Sequence, residues 1–434
     1  ERRLTARVWS RAASASPPAS SDPPAVPAAA GDADRHVYES LEACLKQALS
    51  RFVVQRNRRR TVIAGYPWFL DWGRDTLICI RGLLAAGYVE ASRDIVEQFG
   101  ALERNGTLPN MLVGEDQANR DTSDAPLWFV LACRDLLETT SDAALLDADC
   151  DGRPLSAVLE SILGSYADGT PHGVCADAES GLVFSPAHFT WMDTDHPAGT
   201  PREGYPVEIQ ALWYAALEFA AAQGLAGGDW ADWAGRVRQS LRDLYVLPDE
   251  GYLSDCLHAA PGTPARDAER DDALRPNQLF ALTLGALEAP SIGAGVLQAC
   301  EELLVPGAIR SLADRPVRRA LPIHHGRRLL NDPLRPYWPR YRGDEDTARK
   351  PAYHNGTAWT WVMPSYAEAL VRVYGPSARE TALSLLGGSV ELIERDCFGH
   401  VPEIVDGNRP HVSRGCGAQA WGASELYRVW SLLT

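Results

Sequence analysis

The sequence predicts an all-α protein in which about twelve helices form hairpins that close into a toroid, with long loops gathered at one mouth. Apolar residues recur at helical spacing in about a dozen segments of the 434-residue chain, whereas strand signals are few. The segments show no self-similarity at a fixed period, which disfavours an α-solenoid. The loops between them are long and rich in charged and aromatic residues, which is typical of loops that carry a functional site.

The first helical segment begins at residue 36, where HVYESLEACLKQALSRFVV places apolar side chains three or four residues apart. Residues 1–35 are low in large apolar side chains and contain two Pro pairs, so we interpret them as a linker or the tail of a missing N-terminal domain. Residues 36–434 are predicted to form one domain. Its further helices are expected near 75–87, 89–104, 125–140, 153–165, 206–223, 229–245, 276–288, 292–304, 356–374, 376–395 and 417–433, with short strands in TVIAGY and GLVFSP.

Clusters of charged and aromatic residues lie beside the ends of these helices. A toroid would bring all of them to one funnel, whereas a solenoid would spread them apart. The chain also holds 13 Trp against nine Phe. Because a buried indole needs a partner for its N–H group, this enrichment favours an aromatic-lined pocket. The clusters span 66–75, 120–128, 190–202, 275–278, 337–361 and 402–421.

Composition excludes several classes of function. A net charge of −15 disfavours nucleic acid and anionic membrane surfaces as partners, and no apolar run reaches the roughly 20 residues of a membrane span. The nine Cys are scattered without a CxxC pair, which indicates reduced thiols in a cytoplasmic protein. The chain lacks HExxH, a Cys/His quartet, a P-loop and a GxSxG elbow, so we predict neither a metal nor a cofactor. The oligomeric state is left open.

Two isolated carboxylates stand in separate loops of the predicted cup. Asp193 follows Trp191 and Met192, and a carboxyl group against an aromatic ring loses solvation, which favours the protonated form that a general acid needs. Capping of the next turn is an equally open interpretation of Asp193. Glu403 follows Pro402 in an irregular segment before the last helix, where a solvated surface position is the alternative. Such a pair in a Trp-lined cup is typical of glycoside hydrolysis.

Charged residues near these acids have two open interpretations. Glu208 begins an amphipathic helix, where it could complement the helix dipole or accept a hydrogen bond from a ligand hydroxyl. The stretch GYPWFLDWGRD combines aromatic rings with Arg74 and Asp75, a mixture that suits stacking against a sugar while binding its hydroxyl groups. The alternative is that its aromatic residues belong mostly to the core.

Six segments in order resemble the amylo-α-1,6-glucosidase domain of glycogen debranching enzymes, the group classed as glycoside hydrolase family 133 and related to glucoamylases. The resemblance runs from about residue 36 to the C-terminus. It implies an (α/α)6 toroid, consistent with the number of helices, a catalytic domain over 36–434, and inversion at the anomeric carbon. The segments are AGYPWFLDWGRDTLICIRGLLAAGYVEASRDIV, TSDAPLWF, FTWMDTDHPAGTPREGYPVEIQALWY, RPNQLFAL, YHNGTAWTWVMPSYAEAL, and PEI with CGAQAWGASELYRV.

The resemblance also implies roles for single residues. The acid of TWMD falls on Asp193, which would be the general acid, and the acid of PEI falls on Glu403, which would be the general base. Residues expected to bind the terminal glucose or line its pocket are Arg74, Asp75, Asp124, His354, Gly356, Gln419 and Trp421. The further substrate-binding candidates are Tyr66, Trp68, Trp72, Trp191, Arg202 and Glu208.

The predicted activity is that of an inverting, exo-acting α-glucosidase that removes α-1,6-linked glucose branches from glycogen or maltodextrin, so the predicted partner is an α-glucan or gluco-oligosaccharide. The alternatives are another glycosidase of this toroid, trehalase-like or mannosylglycerate-hydrolase-like, and a non-catalytic glycan-binding domain. Inversion predicts a separation of about 6.5–9.5 Å between the two carboxyl groups. We expect Asp193 to have the raised pKa and Glu403 to be ionised.

Overall fold

The computed structural model describes residues 32–56, 59–112, 119–395 and 399–434. The α-helices of this part are α1 (Asp32–Phe52), α2 (Gly73–Ala85), α3 (Val89–Leu102), α4 (Ala125–Thr140), α5 (Leu155–Asp168), α6 (Val207–Gln223), α7 (Trp230–Ser240), α8 (Leu279–Thr283), α9 (Pro290–Glu301), α10 (Asp346–Arg349), α11 (Met363–Tyr374), α12 (Arg379–Gly387), α13 (Val390–Arg395) and α14 (Ala420–Leu433).

Six of these helices form a closed inner ring. Each packs on the next, in the order α2, α4, α6, α8, α11 and α14, and α14 packs back on α2. The helices α1, α3, α5, α7, α9 and α12 lie outside this ring and pack against it. Inner and outer helices alternate along the chain, so each hairpin contributes one helix to each layer. This arrangement confirms the predicted (α/α)6 toroid.

Burial separates the two layers. The inner helix α6 is buried on nearly all sides, including its polar residues Glu208 and Gln210, whereas the outer helix α7 buries only Trp230, Ala234 and Val237. A helix that is apolar all round has to be enclosed by other elements, while a single apolar stripe needs only one packing partner. The hydrophobicity of each segment therefore decides the layer in which it lies.

Short strands link the loops at the mouth of the toroid. They are β1 (Val53–Arg56), β2 (Arg59–Val62), β3 (Gly65–Tyr66), β4 (Asp71–Trp72), β5 (Met111–Leu112), β6 (Cys175–Ala176), β7 (Val183–Phe184), β8 (Gly204–Pro206), β9 (Val246–Leu247), β10 (Tyr252–Leu253), β11 (Cys256–His258), β12 (Glu269–Arg270), β13 (Leu304–Val305), β14 (Ala308–Arg310), β15 (His324–His325), β16 (Arg328–Leu329), β17 (Ala358–Trp359), β18 (Ile404–Val405), β19 (Ser413–Arg414) and β20 (Ala418–Gln419). The largest sheet is antiparallel and runs in the order β13-β14-β17-β18-β19; it pairs Trp359 with Ile404 and Ile404 with Arg414. A second pair joins Gln419 to Gly65.

Three predicted helices differ from the structure. The segment 276–288 is a single turn of 3-10 helix followed by the five-residue α8, because the chain turns at Gly285 with a positive φ of 77°. The segment 356–374 begins as strand β17 and becomes helical only at Met363. The segment 376–395 divides into α12 and α13 beside Gly388.

The predicted linker at residues 1–35 falls largely on residues 1–31, outside the described residues, and the first helix begins at Asp32 rather than at residue 36. The division into a linker and a domain stays a prediction. No helix in the described ranges has both the length and the apolar character needed to cross a bilayer. The predicted cytoplasmic location also stays a prediction.

Candidate active site

An open cavity of about 1020 Å³ lies at the mouth of the toroid, and both Asp193 and Glu403 line it. Their loops are far apart in sequence and meet here because the six hairpins close into a ring. The cavity is also lined by Trp68, Phe69, Trp72, Arg74, Asp75, Trp191, Thr194, Asp195, His196, Tyr341, Arg342, Gly343, Asp344, Arg349, Lys350, Tyr353, His354, Trp359, Ser413, Arg414, Gly415, Gln419 and Trp421.

Arg74 connects Asp193 to the base of the cavity. Its guanidinium Nε donates to both carboxylate oxygens of Asp124, at 2.9 and 2.7 Å, and its other end donates to Asp193 Oδ2 at 2.9 Å. Thr122 donates a further hydrogen bond of 2.7 Å to Asp124. A third of the Asp193 side chain remains exposed to the cavity, so the carboxyl group is both oriented and accessible.

Glu403 is held by neutral donors. The Tyr353 hydroxyl donates to Oε1 at 2.5 Å, and the Cys416 backbone N–H donates to Oε2 at 2.8 Å. Gly415 packs directly against the carboxyl group, where a Cβ atom would collide with Oε2. The backbone of this glycine has a positive φ of 64°, a conformation that residues with a Cβ rarely adopt. The Glu403 side chain therefore lies in a cradle made by three loop residues.

Gly415→Ala is expected to displace Glu403 and to reduce turnover strongly. The left-handed backbone adds about 1 kcal/mol of strain to any such substitution. Gly224 is a matched control, because its φ is 65° and no other atom approaches the position of its missing Cβ. Both alanine variants should lose free energy of unfolding in urea, Gly415→Ala by more because its Cβ also collides with Glu403, while only Gly415→Ala loses activity. Equal activities in the two variants would contradict the role of the cradle.

The pKa values of the cavity acids differ from the sequence prediction. Burial raises the pKa of Asp193, as expected, but the charge of Arg74 and its hydrogen bond oppose that rise. Burial also raises the pKa of Glu403, to about 7, against the lowering effect of the Tyr353 and Cys416 hydrogen bonds. The predicted rise in the pKa of Asp193 is therefore confirmed, whereas the expectation that Glu403 would simply be ionised is wrong. The reason is that Arg74 pairs with Asp193, whereas Glu403 has no ion-pair partner among the described residues.

Asp75 is the third acid of the cavity. Burial raises its pKa to about 8, opposed by Arg74 and increased by the charges of Glu403 and Asp193. Its carboxyl group receives a long hydrogen bond of 3.4 Å from the Gln419 amide. At neutral pH Asp75 consequently carries a proton in most molecules, which lets it donate to a ligand oxygen as well as accept from one.

Three buried polar atoms of the lining find no hydrogen-bond partner within the described structure: His354 Nε2, Gln419 Oε1 and Trp421 Nε1. Burial holds the pKa of His354 well below its usual range, so the ring is neutral. Its other nitrogen lies 2.7 Å from the Thr194 hydroxyl. Buried polar atoms without partners are costly unless a ligand or water satisfies them. These buried atoms can therefore form hydrogen bonds with a polar ligand in the deep part of the cavity.

Most of the predicted site residues line this cavity, but five do not: Tyr66, Asp124, Arg202, Glu208 and Gly356. The Tyr66 hydroxyl donates to the Arg51 carbonyl at 2.8 Å, so Tyr66 supports the rim from outside. Asp124 accepts hydrogen bonds from Arg74, which itself lines the cavity. Gly356 is needed because the backbone of Trp338 passes where its Cβ would lie. These residues therefore lie outside the lining of the cavity.

Arg202 and Glu208 form an ion pair below the loop that carries Asp193. Arg202 also donates to Asp255 at 2.7 Å and to the Thr190 hydroxyl at 3.1 Å, and all of these side chains are buried. Neither predicted interpretation of Glu208 accounts for this contact. The sequence pattern shows that Glu208 begins a helix, but a partner that lies in a folded loop cannot be inferred from the helix alone.

Sequence reasoning missed Tyr353 and Trp359. Tyr353 binds Glu403, and the Trp359 ring packs edge-to-face on Trp191 with centroids 5.1 Å apart. Trp361 extends this aromatic wall by stacking on Trp421 at 4.6 Å. The sequence did contain a signal for them, because Tyr353, Trp359 and Trp361 all lie in the YHNGTAWTW segment. No group of three or more His, Cys, Asp or Glu side chains in the described ranges is arranged to hold a metal ion.

The toroid with its loop-lined cavity is similar in fold to solved glycosidases. A solved glycosidase superposes with a TM-score of 0.60 at 13% identity, over 93% of this chain and 99% of its own. The GH63 mannosylglycerate hydrolase from Thermus thermophilus, solved in complex with glucose, gives 0.58 at 17% identity, over 89% of this chain and 99% of its own. At these identities the likeness shows the fold.

The family is identified by sequence. A family model described as amylo-alpha-1,6-glucosidase matches residues 47–428. The glycogen debranching enzyme of Saccharomyces cerevisiae is 25% identical over 402 residues, covering 71% of this chain and 25% of the yeast protein. Alkaline/neutral invertase CINV1 of Arabidopsis thaliana is 22% identical over 348 residues, 71% of this chain and 56% of the invertase. The chain belongs to the amylo-alpha-1,6-glucosidase family of glycoside hydrolases, and it spans about a quarter and about half of these two relatives.

Proposed function

We propose that this chain removes single α-1,6-linked glucose residues from the ends of branched α-glucans, with inversion at the anomeric carbon. Asp193 is the general acid and Glu403 is the general base. The observation that carries the proposal is the presence of both carboxyl groups in one open cavity whose buried end holds unpartnered polar atoms. That combination suits a neutral, hydroxyl-rich ligand placed between an acid and a base.

The shape of the cavity supports action at a chain end. His354, Gln419 and Trp421 are almost fully buried, whereas Trp68 at the rim is 61% exposed. One sugar can occupy the buried polar end while the rest of the glucan leaves past the aromatic rim. An exposed indole offers its flat face to the C–H groups of a sugar ring.

The chemistry requires one proton on Asp193. A sugar in the cavity displaces the water that covers a third of this side chain, which raises the pKa of Asp193 further because the carboxylate loses solvation. Asp193 then donates its proton to the glycosidic oxygen. Glu403, in its ionised form, takes a proton from the water that attacks the anomeric carbon from the opposite face. Arg74 keeps the Asp193 carboxyl group in one orientation throughout.

The stereochemical test is proton NMR of the first product released from a maltodextrin that carries single α-1,6-linked glucose branches. We expect β-glucose to appear first and to mutarotate afterwards. Early α-glucose would show retention and would exclude Glu403 as a base acting through water. Sucrose, trehalose and mannosylglycerate serve as control substrates. Sucrose is included because of the similarity to the Arabidopsis invertase, and faster hydrolysis of any of the three would replace the proposed substrate.

A further inference from the structure

The Tyr353 side chain donates a hydrogen bond to the Glu403 carboxyl group. Its hydroxyl donates to Oε1 at 2.5 Å, while the Cys416 N–H occupies Oε2 at 2.8 Å. An ionised carboxylate only accepts hydrogen bonds, so both donors favour the charged form. Each oxygen has two acceptor positions, which leaves one on each oxygen for water.

Glu403 has no ion-pair partner among the residues that the structure describes, in contrast to Asp193, which pairs with Arg74 at 2.9 Å. Arg414 lines the same cavity, but its guanidinium pairs with Asp406 at 3.2 Å. The charge on Glu403 therefore depends on neutral donors. Of its two donors, only the Tyr353 hydroxyl belongs to a side chain and can be removed by substitution.

The backbone carbonyl and the ring of Tyr353 are both held by neighbouring residues. Its backbone carbonyl accepts from Trp359 Nε1 at 2.9 Å and from the Thr357 hydroxyl at 2.6 Å. Its ring packs among those of Tyr341, His354 and Trp359, with centroids 5.4, 4.7 and 4.9 Å away. A donor with so little freedom fixes the position of the group that it binds, because little conformational entropy is left to lose.

We propose that Tyr353 is the positioning residue of the general base, holding Glu403 ionised and in the one orientation that lets it take a proton from the attacking water. This inference rests on the proposed function for the role of Glu403. The other titratable groups that face Glu403 are Asp193, Asp75 and Tyr341; the charge of Asp193 raises the pKa of Glu403, and the charge of Glu403 raises those of Asp75 and Tyr341. Among these groups, the charge of Asp193 opposes ionisation of Glu403, so the Tyr353 hydroxyl acts against it.

The experiment is an infrared titration of Tyr353→Phe, in which the protonated carboxyl band of Glu403 is assigned by its loss in Glu403→Gln. Loss of a hydrogen bond to a charged group should move the pKa of Glu403 up by about one to two units. The acidic limb of the kcat/KM profile should shift by the same amount. From a pKa of about 7, that shift lowers kcat/KM at pH 7 by about five- to fifty-fold, and raising the pH recovers much of the loss.

Tyr341→Phe is the matched control, because it removes a hydroxyl from the neighbouring ring and should leave the Glu403 titration in place. A fluorinated tyrosine at position 353 keeps the packing and strengthens the donor, so it should lower the pKa of Glu403. An unchanged titration in both position-353 variants, or a change in KM alone, overturns the inference. The infrared readout needs no turnover, so a chain that hydrolyses no branched glucan while the band still shifts would disprove the proposed function only.

Discussion

Asp193→Asn is expected to lower kcat on branched maltodextrin by about 10²- to 10⁴-fold, and Glu403→Gln by a similar factor, because each removes a proton-transfer step. The two variants should differ on α-glucosyl fluoride, whose leaving group needs no proton. Asp193→Asn should retain most of its activity on the fluoride, whereas Glu403→Gln should remain inactive because attack by water still needs a base. Initial rates on both substrates make the comparison.

The comparison of branched maltodextrin with α-glucosyl fluoride also tests which of the two carboxyl groups is the acid, a question that the raised pKa of Glu403 creates. Glu403 has a pKa of about 7, so an assignment of Glu403 as the acid has to be excluded. Fluoride hydrolysis that survives in Glu403→Gln and fails in Asp193→Asn would reverse the two roles. Asp147→Asn and Glu138→Gln are controls of the same chemistry at exposed positions outside the cavity, and both should turn over as the parent protein does.

Glu368→Gln is expected to lower the free energy of unfolding by about 3 kcal/mol at neutral pH. Glu368 is buried on the inner helix α11, where Arg428 of α14 donates to it at 2.7 Å and Arg372 at 2.9 Å. Its pKa falls from 4.5 to about 2 because Arg428, Arg81 and Arg372 outweigh the effect of burial. A shift of that size corresponds to about 3 kcal/mol, and loss of one partner from a buried pair has a comparable effect.

Because folding lowers the pKa of Glu368, the stabilisation that its ion pairs provide depends on pH. The folded pKa lies below the unfolded one, so the stabilisation is complete above pH 4.5 and disappears as the pH falls toward about 2. The difference in free energy of unfolding between the parent protein and Glu368→Gln, measured in urea titrations, should become smaller over that pH range. Glu288→Gln removes an exposed carboxylate and should change stability little at any pH. A constant difference from pH 7 to pH 3 would show that the ion pairs are not its source.

Predicting the fold from the sequence worked because each layer of the toroid has its own pattern. Val207–Gln223 is apolar nearly all round and lies in the inner ring, while Trp230–Ser240 has one apolar stripe and lies outside. The pattern failed where a turn interrupted it, as at Gly285 and Gly388. Apolar periodicity describes which side chains are buried, and loop residues packed at the mouth can be buried as completely as those of a helix.

The site was predicted less completely than the fold. The sequence carried the two acids, the WGRD and QAW residues and the surrounding aromatics, because a sugar site needs those residue types. It placed Arg202 and Glu208 in the cavity because they follow Asp193 along the chain, but the structure buries them in an ion pair beneath it. It passed over Tyr353, whose role depends on a contact with a residue 50 positions away.

The sequence by itself determined which segments become helices, which of them are enclosed, and which chemical groups are available at the loops. Only the tertiary structure decided which groups pair with each other. Arg74 binds Asp193, which lies 119 residues further along the chain, and Glu403 accepts hydrogen bonds from a tyrosine hydroxyl and a backbone N–H. The physical reason is that periodicity is a local property of the chain, whereas a pKa depends on burial and on every charge within a few ångströms in space.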